Sequence, residues 1–125
     1  MAARKLSFHF KALTIACTDH RRSERFYREV LGATTLATDD PGFGCPWLQL
    51  GTLALTLMPN ASERSPAAFP SHAMPILWLE VDDLNAAAQL FTEHSVEVIE
   101  PADGQSMQIA DPDGLVIEVW QAEAE

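Results

Sequence analysis

Beyond Arg64 the chain contains no lysine or arginine. All eight Lys and Arg residues lie at or before Arg64, and seven of them lie at or before Arg28. From Ser65 onward there are twelve Asp and Glu, and the net charge is −10. A field of that sign repels nucleic acid and anionic lipid and attracts cations, which sets aside nucleic acid and membrane as partners. Cysteine is equally scarce, with only Cys17 and Cys45. Cys17 falls inside an apolar strand pattern, the setting of a buried free thiol rather than of a disulfide or metal ligand. No apolar run approaches the roughly 18 residues of a membrane span. Met1 to Cys17 has the basic-then-apolar outline of a signal, but His9 and Lys11 interrupt it; the expectation is a cytoplasmic protein. Catalytic signatures are sparse as well. No Ser-His-Asp or Cys-His arrangement is visible, and Gly42-Phe43-Gly44 lacks the strand and helix that a phosphate loop requires.

What the chain does contain is a repeat. Leu13-Thr14-Ile15-Ala16-Cys17-Thr18-Asp19 aligns with Leu77-Trp78-Leu79-Glu80-Val81-Asp82-Asp83, an offset of 77 − 13 = 64. The same offset carries Phe26-Tyr27 onto Leu90-Phe91 and, more roughly, Thr52 to Leu55 onto Val116 to Val119. Two copies are too few for a solenoid; paired half-domains sharing one core fit better. With 125 residues and 47% hydrophobic composition, the chain is expected to fold as a single domain spanning 1–125.

The first module, about 8–58, opens with a strand expected at Phe8 to Cys17. Asp19 is placed to cap a helix running to Leu31, with Phe26, Tyr27, Val30 and Leu31 as its stripe and Gly32 as its stop. A short strand near Thr34 to Ala37 follows, then a turn-rich stretch from Asp39 to Pro46. Strands at Trp47 to Leu50 and Leu53 to Met58 are joined tightly at Gly51-Thr52. A connector, 59–75, holds four of the eight prolines. The second module, about 76–121, predicts a strand over Ile76 to Val81 and a helix capped by Asp82 or Asp83, with stripe Leu84, Ala87, Ala88 and Phe91. Strands at Val96 to Ile99 and Ser106 to Ala110 follow. The turn Asp111-Pro112-Asp113-Gly114 then leads into the last strand, Leu115 to Gln121. The order is βαβββ, twice.

Ser23-x-x-Phe26-Tyr27-x-x-x-Leu31-Gly32, Glu80-Val81-Asp82-Asp83-Leu84 and Asp111-Pro112-Asp113-Gly114-x-x-Ile117-Glu118 together resemble the two halves of the vicinal oxygen chelate superfamily. That group includes glyoxalase I, extradiol dioxygenases, fosfomycin-resistance enzymes and bleomycin-resistance proteins. The resemblance covers about residues 8–121. It implies an α+β fold in which two βαβββ modules form an open half-barrel, helices outside and a ligand cleft inside. It also implies a homodimer, in some members with modules exchanged between chains. Enzymes of the family hold a divalent metal with a His on each module's first strand and a carboxylate on each module's last. Here those positions carry Ala12, Ile76 and Thr56 (or Ala54 by the internal offset); Glu118 alone matches. One carboxylate is far short of the three or four N/O ligands such an ion needs, so no metal and no other cofactor is expected. His9, His20, His72 and His94 have no convincing spacing partner, although His72 lies in the connector, which could fold over the cleft.

Strand alternation then assigns the cleft face. Leu77, Leu79 and Val81 turn toward the helix and leave Trp78 and Glu80 opposite; Ile117 and Val119 leave Glu118 and Trp120. In the first module Leu48 and Leu50 leave Trp47 and Gln49, with Ala12, Thr14, Ala16, Ala54, Thr56 and Met58 completing a surface of small residues. The candidate ligand-binding residues are therefore Trp47, Gln49, Thr56, Trp78, Glu80, Glu118 and Trp120. Indole faces attract cations and stack on aromatic rings, and a carboxylate among them adds charge pairing. The leading expectation is a non-catalytic small-molecule binder, like the bleomycin-resistance proteins, that sequesters a cationic or aromatic compound. Two alternatives stand beside it. One is a lyase, isomerase or dioxygenase relative with an altered metal site, or with Glu80 or Glu118 as general base. The other is a regulatory or assembly module whose Trp face meets a protein.

Overall fold

The computed structural model describes residues 5–37, 46–72 and 74–123. Strand β1 (Leu13–Ala16) leads to helix α1 (His20–Arg25), a wider-wound continuation (Phe26–Val30) and strands β2 (Thr34–Thr35), β3 (Trp47–Leu50) and β4 (Leu53–Met58). The second module repeats the order with β5 (Leu77–Val81), α2 (Leu84–Glu93), β6 (Glu97–Glu100), β7 (Ser106–Ala110) and β8 (Val116–Gln121). The strands form two four-stranded mixed sheets, β1-β4-β3-β2 and β5-β8-β7-β6, neither closed into a barrel. In both, the first strand runs parallel to the last and the other pairs are antiparallel. This is the duplicated α+β architecture that the repeat implied.

Both helices start where the sequence places a cap. The Asp19 carboxylate accepts from the backbone N–H groups of Arg21 (3.2 Å) and Arg22 (3.3 Å), and Asp83 accepts from Ala86 (3.0 Å). The first helix does not stay regular to Leu31. After Arg25 it widens to five-residue hydrogen bonding, with the Leu31 N–H donating to the Phe26 carbonyl at 3.4 Å. Ser23, Phe26, Tyr27 and Val30 remain on one buried stripe.

Strands β3, β4 and β7 lie at their expected residues, and β2, β5, β6 and β8 differ by one or two at an end. Strand β1 is the exception, because it begins at Leu13 rather than Phe8. Leu13 pairs with Leu55, so two residues back Lys11 would stand opposite Leu53, where β4 starts. Residues before Lys11 therefore have no strand of their own sheet to lie against. The turn-rich stretch and Cys45 fall mostly outside the described residues. Cys17 is buried and forms no disulfide, its thiol donating to the Ile15 carbonyl at 3.4 Å.

The helix-side faces of both modules drain into one core. Tyr27, Leu48, Leu55 and Leu57 from the first module and Leu84, Phe91, Ile109 and Ile117 from the second belong to the same buried cluster. The modules are also joined by polar contacts at Asp111-Pro112-Asp113-Gly114. One Asp111 oxygen accepts from the N–H groups of Asp113 (2.9 Å) and Leu115 (2.8 Å), closing the turn. Its other oxygen accepts from the Tyr27 hydroxyl at 2.8 Å across the module boundary. Asp113 accepts from the Thr18 backbone N–H (3.1 Å), the Thr18 hydroxyl and the Ser23 hydroxyl (3.3 Å). The connector crosses this turn, its Ser65 N–H donating to the Asp113 carbonyl at 2.7 Å.

Burial pushes the Asp111 carboxyl above its ordinary 3.8, against the pull of its hydrogen bonds from Tyr27, Leu115 and Asp113. Burial also pushes the Tyr27 phenol well above 10.0, helped by the neighbouring Asp111 charge. Tyr27 is the sole tyrosine. Unfolded, it ionises near 10.0; folded, it keeps its proton, so its contribution is complete below that pH and is lost as pH rises toward the folded value.

Two outcomes are expected. Absorbance at the tyrosinate band stays flat in native protein past the ordinary phenol range and rises only with unfolding. Over the same range wild-type stability falls by up to about 1.4 kcal/mol per pH unit relative to Tyr27→Phe. A native tyrosinate signal appearing near 10.0 contradicts this. The second outcome concerns Gly114, which has φ +87° and whose missing Cβ would collide with the Ser65 carbonyl oxygen. Gly51, with φ +59°, has open space around it. Denaturant unfolding should show Gly114→Ala costing about 3 kcal/mol or more and Gly51→Ala about 1 kcal/mol, because only the former adds backbone collision to left-handed strain.

Candidate functional site

Once the helix-side faces are committed to the core, each sheet's other face is left open, and the candidate residues occupy it. In the second sheet the strand register sets Trp78 beside Glu118 and Glu118 beside Gln108, and in the next row Glu80 beside Trp120 and Trp120 beside Ser106. The indoles of Trp78 and Trp120 meet diagonally across these rows, with ring centroids 5.5 Å apart and planes tilted by 33°. Trp78 is 63% exposed; Trp120 and Glu118 are half-buried, and Glu80 is exposed. The four form a compact surface of two indoles and two carboxylates.

The first sheet carries the rest. Trp47 lies beside Thr56, and Thr56 beside Thr14, while Gln49 lies beside Ala54. Thr56 is buried, Trp47 half-buried and Gln49 exposed. The Gln49 side chain donates to the Gly51 carbonyl at 3.1 Å, holding it against its own hairpin. The Lys11 ammonium stands 5.8 Å from the centroid of the Trp47 ring, within the range of a cation–π contact. The seven residues thus fall into two groups, one per sheet: Trp78, Glu80, Glu118 and Trp120, and Trp47, Gln49 and Thr56. The ring nitrogens of Trp47 and Trp120 are both buried, and neither has a hydrogen-bond acceptor. Strand alternation could assign the face but not these orphaned donors, which depend on neighbouring side chains.

The register also resolves the family's metal positions. Leu13 pairs with Leu55 and Leu77 with Ile117, so the first strands are offset by 64 but the last strands by 117 − 55 = 62. The counterpart of Glu118 is therefore Thr56, not Ala54. With Ala12, Ile76, Thr56 and Glu118 at the four positions, the donor set does not fit a divalent ion. Among the described residues no group of three His, Cys, Asp or Glu side chains is placed to hold one. His9, His72 and His94 are exposed and His20 is half-buried at the start of α1.

A cavity of about 820 Å³ lies on the other side of β5. It is lined by Leu79 and Val81 of that strand, Ala87, Leu90 and Phe91 of α2, and the β3–β4 hairpin, with Trp78 and Glu80 at its margin. No helix is long and apolar enough among the described residues to cross a membrane.

Comparison with curated protein sequences found no match. Solved structures do match over nearly the whole chain. An integron cassette protein from the mobile metagenome of V. cholerae is 23% identical, with TM-score 0.68, covering 98% of this chain and 100% of that one. A fosfomycin resistance protein, FosX from Mesorhizobium loti, is 17% identical with TM-score 0.69 and 94% of each chain covered. TioX from Micromonospora sp. ML1 is 15% identical with TM-score 0.64, covering 90% of this chain and 98% of that one. At these identities the likeness is one of fold. Residues 9–119 match the family model, and the chain belongs to the glyoxalase/bleomycin resistance protein/dioxygenase superfamily.

Proposed function

We propose that this protein binds a small cationic or aromatic organic compound on its open sheet faces and acts by sequestration, in the manner of the bleomycin-resistance proteins, rather than by metal-dependent catalysis. The observation that carries this reading is the Trp78–Trp120 pair, 5.5 Å apart and flanked in register by Glu118 and Glu80. A planar cation gains stacking from the indoles and charge pairing from the carboxylates. Such cation–π contacts contribute roughly 0.5–2 kcal/mol each, more as water is excluded. Lys11 over Trp47 is the same chemistry within the chain. The unpartnered ring nitrogens of Trp47 and Trp120 favour a ligand that also carries a hydrogen-bond acceptor, since a buried donor left unpaired costs about 1–3 kcal/mol. Gln49 and Thr56 complete the first sheet's share of the site. Antibiotic-resistance relatives in the family are consistent with a toxic compound as the ligand.

A fluorescence titration with a panel of cationic aromatic drugs and their neutral isosteres tests this directly. Saturable quenching is expected. Trp78→Ala or Trp120→Ala should weaken it about tenfold for both ligand sets, a loss of about 1.4 kcal/mol. Glu80→Gln with Glu118→Gln should weaken the cations alone. Unchanged fluorescence across the panel, or turnover of a ligand that Glu118→Gln abolishes, overturns the sequestration reading.

A further inference from the structure

The cavity of about 820 Å³ between β5, α2 and the β3–β4 hairpin is not a requirement of the fold. At the internal offset of 64, its wall residues Leu79, Val81 and Leu90 correspond to Ile15, Cys17 and Phe26 of the first module. Those three are buried, whereas Leu79, Val81 and Leu90 are only half-buried. The difference lies in the turn that closes each module. In the second module the turn Asp111-Pro112-Asp113-Gly114 reaches α1 and its continuation, and bonds from Tyr27, Thr18 and Ser23 seal that side. Its counterpart in the first module is the two-residue turn Gly51-Thr52 between Leu50 and Leu53. That turn bonds to its own Gln49 and leaves the cavity between itself and α2. Leu31, Leu50 and Leu53 extend the apolar wall around a space that close packing would fill. Its volume lies in the range of small-molecule pockets, about 300–1,000 Å³.

The charges around this space decide what can enter it. Glu80, Asp82 and Asp83 line it and are exposed, and its lining holds no Lys, Arg or His. Three carboxylates at the mouth of an apolar space favour a cation and repel an anion. The cation cannot itself go to the bottom, because burial among Leu and Phe side chains would strip its solvation without a partner. An apolar chain enters, and the charge stays at the mouth. That mouth is the edge of β5. Residues 78–83 line the cavity consecutively, so it reaches the backbone edge that no strand pairs. Trp78 and Glu80 belong both to this edge and to the open face beyond it.

We propose that the cavity takes the aliphatic tail of an amphiphilic cation whose charged head lies at the free edge of β5, among Trp78, Glu80, Asp82 and Asp83. On the reading of the open face as a cation site, on which this rests, the ligand is narrowed to cations that carry an apolar chain. One such molecule uses both sides of β5, its head stacked on Trp78 and its chain against Leu79, Val81 and Leu90. A compact planar cation uses the first side only.

Benzyldimethylalkylammonium salts with methyl, butyl and octyl chains, kept below their micelle concentrations, test this by calorimetry and Trp fluorescence. Affinity should rise about threefold for each methylene that enters the cavity, and at least about a hundredfold from methyl to octyl. Ala86→Phe and Thr52→Phe, at exposed positions on facing walls, should each remove most of that gain. Neither should change the methyl compound's affinity or the circular dichroism spectrum. Trp120→Ala, outside the cavity lining, should weaken all three compounds alike. A methyl compound that binds with no gain toward octyl overturns the cavity proposal and leaves the open-face reading standing. So does a gain that survives both Phe variants, or an uncharged phenylalkanol that binds as tightly as the octyl salt. If no compound binds, both readings fall. If the octyl gain is lost in the Phe variants while Trp120→Ala changes nothing, the cavity is supported and the open-face reading falls.

Discussion

The hydrogen bond from the Tyr27 hydroxyl to the Asp111 carboxylate fixes how the two halves of this molecule sit together. Each module has one helical segment, too little to cover a four-stranded sheet, so the two helix-side faces must share a core. Apolar packing alone would tolerate sliding at that boundary. Buried polar groups do not, because each must meet its partner or lose several kcal/mol of solvation. Among the described residues the buried polar side chains are Ser23, Thr56, Asp111 and Asp113. Three of these four belong to the turn after β7 or to its partners on α1. The turn thus serves both to reverse the chain and to register one module against the other. Gly114 lets the connector pass close enough for Ser65 to bond to Asp113.

That commitment determines which surfaces are left over from packing. With most of the helix-side faces spent on the core, the open sheet faces remain beside the cavity between β5 and α2, and side chains on the open faces are released from packing constraints. The second sheet uses the freedom for Trp78, Trp120, Glu80 and Glu118, and the first for Thr14, Ala16 and Thr56. A fold that can bring a ligand from each half to a central metal here has non-ligating Ala12 and Ile76 at the first-strand positions.

Much of this was legible in the chain. Period-two alternation assigned Trp78, Glu80, Glu118 and Trp120 to one face, because Leu77, Leu79, Ile117 and Val119 left no ambiguity about which side was apolar. Caps at Asp19 and at Asp82 or Asp83 marked the helix starts, because a short carboxylate is well suited to the first free N–H groups, and the structure selects Asp83 of the second pair. Three features were not legible. The start of β1 depends on where β4 begins, a pairing fact that no local pattern carries. The offset slips from 64 to 62 at the last strand, and no sequence signal separated Ala54 from Thr56 as the counterpart of Glu118. The contact between Tyr27 and Asp111 joins residues 84 apart. Each end was visible, as a helix-stripe tyrosine and as a turn aspartate, but nothing local pointed one at the other.

The divergence of the two copies is better understood as division of labour than as decay. In structural register Thr14 and Thr56 correspond to Trp78 and Glu118, and Ala16 and Met58 to Glu80 and Trp120. Had both modules kept large aromatic and acidic residues, two like-charged surfaces would stand on a chain already at −10, and self-repulsion would oppose any association of their carriers. The same asymmetry leaves Trp47 beside a lysine and Trp78 beside glutamates, so one indole has its cation within the chain while the other pair remains open to one from outside. Duplication supplied two open faces, and on the second Glu118 and Glu80 stand in register beside Trp78 and Trp120.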